Sequence, residues 1–192
     1  MGYMSDVKAL AEVCRRYGVP LLVDNAHGAH LKFVAEDRHP ISLGASMCCD
    51  SAHKTLPVLT GGAYLHVSKD FDVRPEIIRN SLSLFGSTSP SYLILRSLDL
   101  CNEYLADRYR NELAGCVKRV NELRRSLAYA GWKPVGGEPL KITIDCAASG
   151  ISGNSVADML REQNIEPEFS DKNYVVMMFS PQVPADGYGK VS

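Results

Sequence analysis

Asp24-Asn25-Ala26-His27 and Ser51-Ala52-His53-Lys54 are the stretches of sequence that decide the fold. Each begins directly after a predicted strand, residues 21–23 before the first stretch and residues 46–50 before the second. Strands this short and apolar on both faces are typical of a parallel sheet covered by helices. Because ligands bind at the carboxyl ends of such strands, we expect the two stretches to share one crevice.

Helices and strands alternate around these stretches, and the spacing of apolar residues predicts where they lie. The predicted helices are 5–17 (capped by Ser5), 74–84 and 92–130, and a third strand is 63–67. The segment Gly86-Ser87-Thr88-Ser89-Pro90 is a strong break between the last two helices. A helix as long as 92–130 is unusual, so we expect a bend near Gly115.

The last third of the chain predicts a strand, a helix and a strand, with no helix after the last strand. These elements are 140–146, 154–163 and 174–180. The predicted fold class is therefore α/β: a partial three-layer, mostly parallel sheet followed by an incomplete smaller α/β lobe. We assign residues 1–90 to the partial large domain that carries the crevice. Residues 91–192 are assigned to a long connecting helix and a truncated C-terminal small domain.

Composition argues against several classes of protein. The 192 residues carry 21 Lys+Arg against 22 Asp+Glu, and a net charge of −1 gives no reason to expect nucleic acid or an anionic membrane as partner. No apolar run approaches the ~20 residues that span a bilayer, and the N-terminus lacks the pattern of a signal peptide. The six cysteines show no C-x-x-C spacing, which favours reduced thiols in a cytoplasmic protein over disulfides or a metal site. A small polar metabolite is the expected ligand.

Asp24 and Lys54 together suit one cofactor, pyridoxal 5'-phosphate. Taken singly, Asp24 would be interpreted as a turn or cap residue and Lys54 as a solvated lysine. Small residues and histidines flank both, however, where a solvated loop is usually more charged. A lysine amine holds the cofactor aldehyde as a Schiff base, and a carboxylate keeps the pyridine nitrogen protonated so that the ring accepts electrons. We therefore predict that both residues are catalytic and bind the cofactor.

Four flanking residues are predicted to complete the pocket. Ala26 is small enough for a flat ring to lie against it, and His27 could hydrogen-bond the phenolic oxygen of the ring or cover the ring. Ser51 and His53 could donate hydrogen bonds to the phosphate. His30 is expected to be structural, because no role in the pocket matches it.

Three ordered segments, residues 21–31, 50–62 and 87–92, resemble the bacterial ornithine/lysine/arginine decarboxylase family. The resemblance implies a fold of the aspartate-aminotransferase type and removal of the α-carboxylate of lysine, ornithine or arginine as carbon dioxide. It implies that Asp24 pairs with the pyridine nitrogen, that Lys54 carries the cofactor and that His27 contacts the ring as the third catalytic residue. It also implies a homodimer, in which the loop of Thr88 reaches the cofactor phosphate of the partner subunit.

The resemblance covers an interior slice of the family's catalytic core. We expect the chain to lack the upstream half of the large domain, which supplies the main phosphate loop and the residue stacked on the other face of the cofactor, and to have a shortened C-terminal lobe. Two alternatives stay open. One is another pyridoxal-phosphate enzyme, an aminotransferase or a cysteine desulfurase, against which the continuation Thr55-Leu56-Pro57 argues. The other is a non-catalytic scaffold or partner-binding domain that covers its apolar surface by association.

Overall fold

Two compact units make up the computed structural model, which describes residues 2–87 and 89–191. One unit consists of residues 6–110, and the other of residues 111–192 together with residues 1–5. The mixture of helices and sheets confirms the predicted α/β class. The predicted domain boundary at residue 90 stays a prediction. Within the described part of the chain, no helix is both long enough and apolar enough to cross a membrane.

The unit of residues 6–110 holds a three-stranded sheet. Its elements are α1 (Val7–Arg16), β1 (Leu22–Asp24), β2 (Met47–Asp50), α2 (Ala52–Thr55), β3 (Tyr64–Val67), α3 (Pro75–Phe85) and α4 (Tyr92–Asp107). The strand order is β1-β2-β3, with β1 and β2 parallel and β3 antiparallel to β2. A parallel connection has to return along the whole strand, usually as a helix. The four-residue α2 is too short to make that return. The chain therefore enters β3 at the edge of the sheet where it left β2, and β3 runs antiparallel to β2.

The first helix shows how local chemistry sets an element's limits. Ser5 was the predicted cap, but the cap is Asp6, whose carboxylate accepts a hydrogen bond from the Ala9 N–H at 2.9 Å. Arg15 and Arg16 lie in the last turn, where positive charge is favourable. Gly18 follows with φ of 65°, a left-handed conformation that suits glycine after a helix.

The unit that contains residues 111–192 holds a four-stranded antiparallel sheet. Its elements are α5 (Tyr109–Tyr129, which begins in the other unit), β4 (Pro134–Val135), β5 (Lys141–Asp145), α6 (Gly153–Glu162), β6 (Phe169–Ser170), β7 (Tyr174–Met178) and α7 (Ala185–Gly189). The strand order is β4-β5-β7-β6. The short α7 corrects the prediction that no helix follows the last strand. Its Tyr188 ring stacks on Phe179 at 5.3 Å, a contact that periodicity over five residues cannot reveal.

The predicted single helix 92–130 is two helices, and the bend expected at Gly115 was wrongly placed. α4 ends at Asp107 and α5 begins at Tyr109, with Arg108 between them. The Tyr109 ring packs edge-on against Phe33 at 5.3 Å and against Tyr104 at 5.4 Å, and its side chain is fully buried. Burying this ring decides where the helix breaks, whereas Gly115 lies within α5.

Candidate active site

The parallel pairing of β1 and β2 brings the two decisive stretches to the same edge of the sheet. Asp24, the last residue of β1, lies opposite Cys49, the residue before the last one of β2. The ladder continues past Asp24, because the Asn25 N–H donates to the Cys49 carbonyl at 2.9 Å. Both chains therefore leave their strands side by side, as the sequence predicted from strand ends.

Asp24 opens the turn that follows β1. Its Oδ1 accepts a hydrogen bond from the Ala26 N–H at 3.1 Å, and its side chain is exposed at the strand end. An aspartate that bonds the backbone two residues later fixes the turn. The turn holds a carboxylate and the small Ala26 side chain at the same edge of the sheet, which is where the cofactor ring was predicted to lie.

Lys54 and His27 come into contact although 27 residues separate them. The Lys54 Nζ lies 3.4 Å from His27 Nε2, and the lysine side chain is exposed. An ammonium group can only donate hydrogen bonds, so Nε2 of a neutral His27 is the acceptor when Lys54 is charged. This contact unites two residues that the sequence predicted to be catalytic.

Ser51 and His53, which were predicted to bind the phosphate, do not take part in the contact between Lys54 and His27. Ser51 is the N-cap residue of α2, and its side chain makes no capping hydrogen bond. His53 Nδ1 donates to the Gly62 carbonyl at 2.9 Å, so only its Nε2 faces elsewhere. A Cβ on Gly62 would overlap Val58, so the loop needs glycine at this position. Thr88, the third predicted phosphate contact, lies outside the described residues.

The sequence did not predict the bond that ties the two stretches together. The Asn25 amide nitrogen donates to Asp50 Oδ1 at 2.7 Å, and Asp50 is only 2% exposed. The Asn25 side chain can take this position only because residue 28 is glycine: a Cβ on Gly28 would overlap Asn25 Oδ1. The strand alternation of residues 47–50 was the available signal, since it makes Asp50 an acid on a buried face.

Two histidines complete the surroundings of Asp50. His39 Nε2 lies 3.0 Å and His66 Nε2 lies 3.1 Å from Asp50 Oδ2, and we call these three residues the His39–Asp50–His66 cluster. Burial by itself would raise the pKa of Asp50. The hydrogen bonds from His39, His66 and Asn25 outweigh burial and hold that pKa well below its usual range. Asp50 is therefore a buried carboxylate that stays ionised directly before Ser51.

The residues at the sheet edge fit pyridoxal phosphate. An exposed primary amine, an imidazole in contact with it and an exposed carboxylate at the neighbouring strand end form the donor set that this cofactor needs. The amine would take the aldehyde and the carboxylate would face the pyridine nitrogen. A primary amine at this edge can form an imine with a carbonyl group.

Comparisons with known sequences identify similar proteins. Residues 1–134 match the family model described as Orn/Lys/Arg decarboxylase, major domain. An arginine decarboxylase of Bacillus subtilis (strain 168) is 33% identical over 196 residues, which cover 94% of this chain and 39% of that relative. An arginine decarboxylase of Bacillus anthracis is 31% identical over 186 residues, which cover 88% of this chain and 37% of that relative. The chain thus spans about two fifths of the length of these curated relatives.

Comparisons with solved structures agree on the fold. The lysine decarboxylase LdcF of Francisella novicida matches with a TM-score of 0.71 and 17% identity, over 89% of this chain and 31% of that chain. A complex of SepCysS with the SepCysE N-terminal domain matches with a TM-score of 0.68 and 15% identity, over 99% of this chain and 54% of that chain. At these identities the two likenesses show the fold alone.

Proposed function

The chain belongs to the Orn/Lys/Arg decarboxylase family, and from this membership we propose that its site serves the pyridoxal-phosphate-dependent decarboxylation of a basic amino acid. The observation that carries the proposal is the 3.4 Å contact between Lys54 Nζ and His27 Nε2, at the sheet edge where Asp24 ends β1. Lysine, ornithine and arginine are the candidate substrates. The relatives named arginine decarboxylase make arginine the first to assay.

Each residue has a distinct task in this proposal. When bound, pyridoxal phosphate supplies a cationic ring that takes up the electron pair left by the departing carbon dioxide. Lys54 Nζ would be the group that holds the cofactor through its aldehyde carbon. His27 Nε2, 3.4 Å from Lys54 Nζ, would accept a proton from Lys54 and so leave the neutral amine that is needed to bind an aldehyde. Asp24 would hold a proton on the pyridine nitrogen of the bound cofactor.

The flanking residues position the ring and the phosphate. Ala26 leaves space for the ring beside the turn of Asp24. Ser51 would donate to the phosphate, and so would the Nε2 of His53 when its ring carries a proton on both nitrogens, because Nδ1 already donates to the Gly62 carbonyl. Thr88 contributes to the phosphate site of a partner subunit in a homodimer. We propose further that the working enzyme is a self-associating lyase of the cytoplasm.

A non-catalytic role is the second candidate, and exposed apolar side chains favour it. Leu84, Phe85, Tyr92 and Leu93 are 78%, 91%, 87% and 73% exposed on α3 and α4. Apolar patches of this kind mark surfaces for association. In this alternative the chain is a scaffold or partner-binding domain and Lys54 has no cofactor to hold.

Covalent trapping of the cofactor separates the two candidates. The full chain is incubated with pyridoxal phosphate, reduced with borohydride and mapped by mass spectrometry. We expect one modified lysine, Lys54, with modification lost in Lys54→Ala and retained in the control Lys69→Ala, which removes another exposed lysine of the same unit. Modification of Lys69 as strong as that of Lys54 would contradict a cofactor pocket.

Carbon dioxide release from labelled arginine, lysine and ornithine then tests the reaction. Release from one substrate that disappears in Lys54→Ala supports decarboxylation. Trapping at Lys54 without release from any of the three keeps cofactor binding and rejects catalysis by this chain alone.

A further inference from the structure

The His39–Asp50–His66 cluster has the ligand set of a metal site, although the sequence predicted none. Asp50 lies two residues after Cys48 on β2, so both side chains point to the same face of the sheet. His66 on β3 lies directly opposite Cys48, which places its ring on that face and diagonal to Asp50. His39 reaches the same point from the segment between β1 and β2.

Three ligand atoms converge in this cluster. His39 Nε2, Asp50 Oδ2 and His66 Nε2 all lie within 4.8 Å of one another. The two nitrogen–oxygen distances are 3.0 and 3.1 Å. Zinc bonded to nitrogen and oxygen at about 2.0–2.1 Å holds neighbouring ligand atoms about 3.3 Å apart in a tetrahedron. Each of the two nitrogen–oxygen distances would therefore have to lengthen by only a few tenths of an ångström to match a zinc site.

The surroundings of Asp50 favour a cation. The side chain of Asp50 is 3% exposed and that of His39 is 5% exposed. Among the described residues, the two histidines are the ion-pair partners of Asp50, and no lysine or arginine pairs with it. A buried carboxylate needs compensating positive charge, which a divalent ion between the three ligand atoms supplies.

Asn25 gives the cluster an outer support. Its amide donates to Asp50 Oδ1 at 2.7 Å, which leaves Oδ2 directed at both rings. Hydrogen bonds of this kind orient the ligands of metal sites and raise metal affinity. The cluster also lines a cavity of about 510 Å³, and the His66 side chain is 40% exposed. The cavity offers a route of entry and a fourth coordination position for water.

We propose that His39, Asp50 and His66 bind one divalent first-row transition-metal ion, with Zn²⁺ as the reference ion. Two imidazole nitrogens and one carboxylate oxygen suit such ions better than Mg²⁺ or Ca²⁺, which prefer oxygen ligands. The ion would join the segment that carries His39 to β2 and β3. Because Asp50 directly precedes Ser51 and holds Asn25, the ion would stiffen the base of both decisive stretches without taking part in the reaction at Lys54.

Metal titration of the full chain tests the proposal. The chain is stripped with a chelator and titrated with Co²⁺, read by visible absorption, and with Zn²⁺, read by competition with a chromophoric chelator. We expect one ion per chain. His66→Ala should weaken binding at least about tenfold, and Asp50→Asn should do the same. Asp72→Asn, which removes an exposed carboxylate of the same unit outside the cluster, is the matched control and should bind normally.

Circular dichroism identifies a variant that fails to fold. If Asp50→Asn unfolds, His66→Ala carries the test, because its ring is partly exposed. Binding that is unchanged in His66→Ala, or the lack of a saturable Co²⁺ spectrum in the unmodified chain, overturns the proposal. Lys54→Ala should keep the metal, so failure of the cofactor site and failure of the metal site are distinguishable.

Discussion

The two sheets of this chain differ in how many of their strand residues are buried. In the antiparallel sheet of the second unit, four of the five residues of β5 are buried, and so are the three central residues of β7. In the sheet of the first unit, β1 has two exposed residues, Leu22 and Asp24, and α3 buries none of its side chains. Leu22 is 62% exposed, whereas Ile142 on β5 is fully buried.

This difference suggests that one sheet contributes more to stability and the other carries the candidate site. The antiparallel sheet buries Ile142, Ile144, Val175, Val176 and Met177 beside the polar Lys141 and Thr143, and it carries none of the predicted site residues. The three-stranded sheet carries predicted site residues at its strand ends, and its two buried residues are Cys48 and the charged Asp50. Hydrophobic burial is the main favourable term in folding, so the second unit should supply most of the free energy of unfolding.

The largest expected effect comes from truncating a core side chain of the antiparallel sheet. Ile142→Ala should lower the free energy of unfolding by about 3 kcal/mol, because it removes a fully buried side chain and leaves a cavity. The matched change Leu22→Ala on β1 should alter it by less than about 0.5 kcal/mol. Urea denaturation followed by circular dichroism measures both. Equal losses in the two variants would break the comparison between the sheets.

A smaller effect is expected where the first sheet depends on polar contacts. Asn25→Ala removes the hydrogen bond to the buried Asp50 carboxylate and should lower the free energy of unfolding by about 1–2 kcal/mol. The control Asn80→Ala, on the exposed surface of α3, should leave it unchanged. Urea denaturation again gives the numbers. If Asn25→Ala is as harmless as Asn80→Ala, the first sheet does not rely on this polar contact.

The smallest effect on stability is expected at the exposed apolar patch. Phe85→Ser should change the free energy of unfolding by less than about 0.5 kcal/mol, because the ring is 91% exposed. It should nevertheless reduce self-association, measured by analytical ultracentrifugation. Tyr129→Ser, at a ring 97% exposed at the end of α5, is the control and should leave association unchanged. Association that survives Phe85→Ser would remove the support for a dimer through this patch.

Sequence periodicity placed two elements of the second unit to within two residues, although it merged α4 and α5 into one helix. The helix predicted at 154–163 is Gly153–Glu162, and the strand predicted at 174–180 is Tyr174–Met178. Elements that periodicity cannot define were missed, among them β4 and β6, which have two residues each. The break at Arg108 was predicted at the wrong position, near Gly115. It coincides with the burial of Tyr109 against Phe33, a residue far away in the sequence.

The candidate site was predictable only in part. Lys54 and His27 were predicted from their motifs, and the structure brings them into contact. Asp24 stands at the predicted strand end, and its role stays a prediction. The His39–Asp50–His66 cluster was not predicted, because it depends on the antiparallel register of β3 and on a loop that brings His39 back to the sheet. Sequence spacing carries neither kind of information.

Gly28 has a consequence for how this sequence can change. The nearest atoms to a Cβ at position 28 all belong to the Asn25 side chain. Positions 25 and 28 are therefore epistatic: a side chain at 28 requires the Asn25 side chain to move away or to be replaced, and either change gives up the bond to Asp50. Of the two orders in which a lineage could acquire both substitutions, the one that begins at position 28 passes through the more disrupted intermediate.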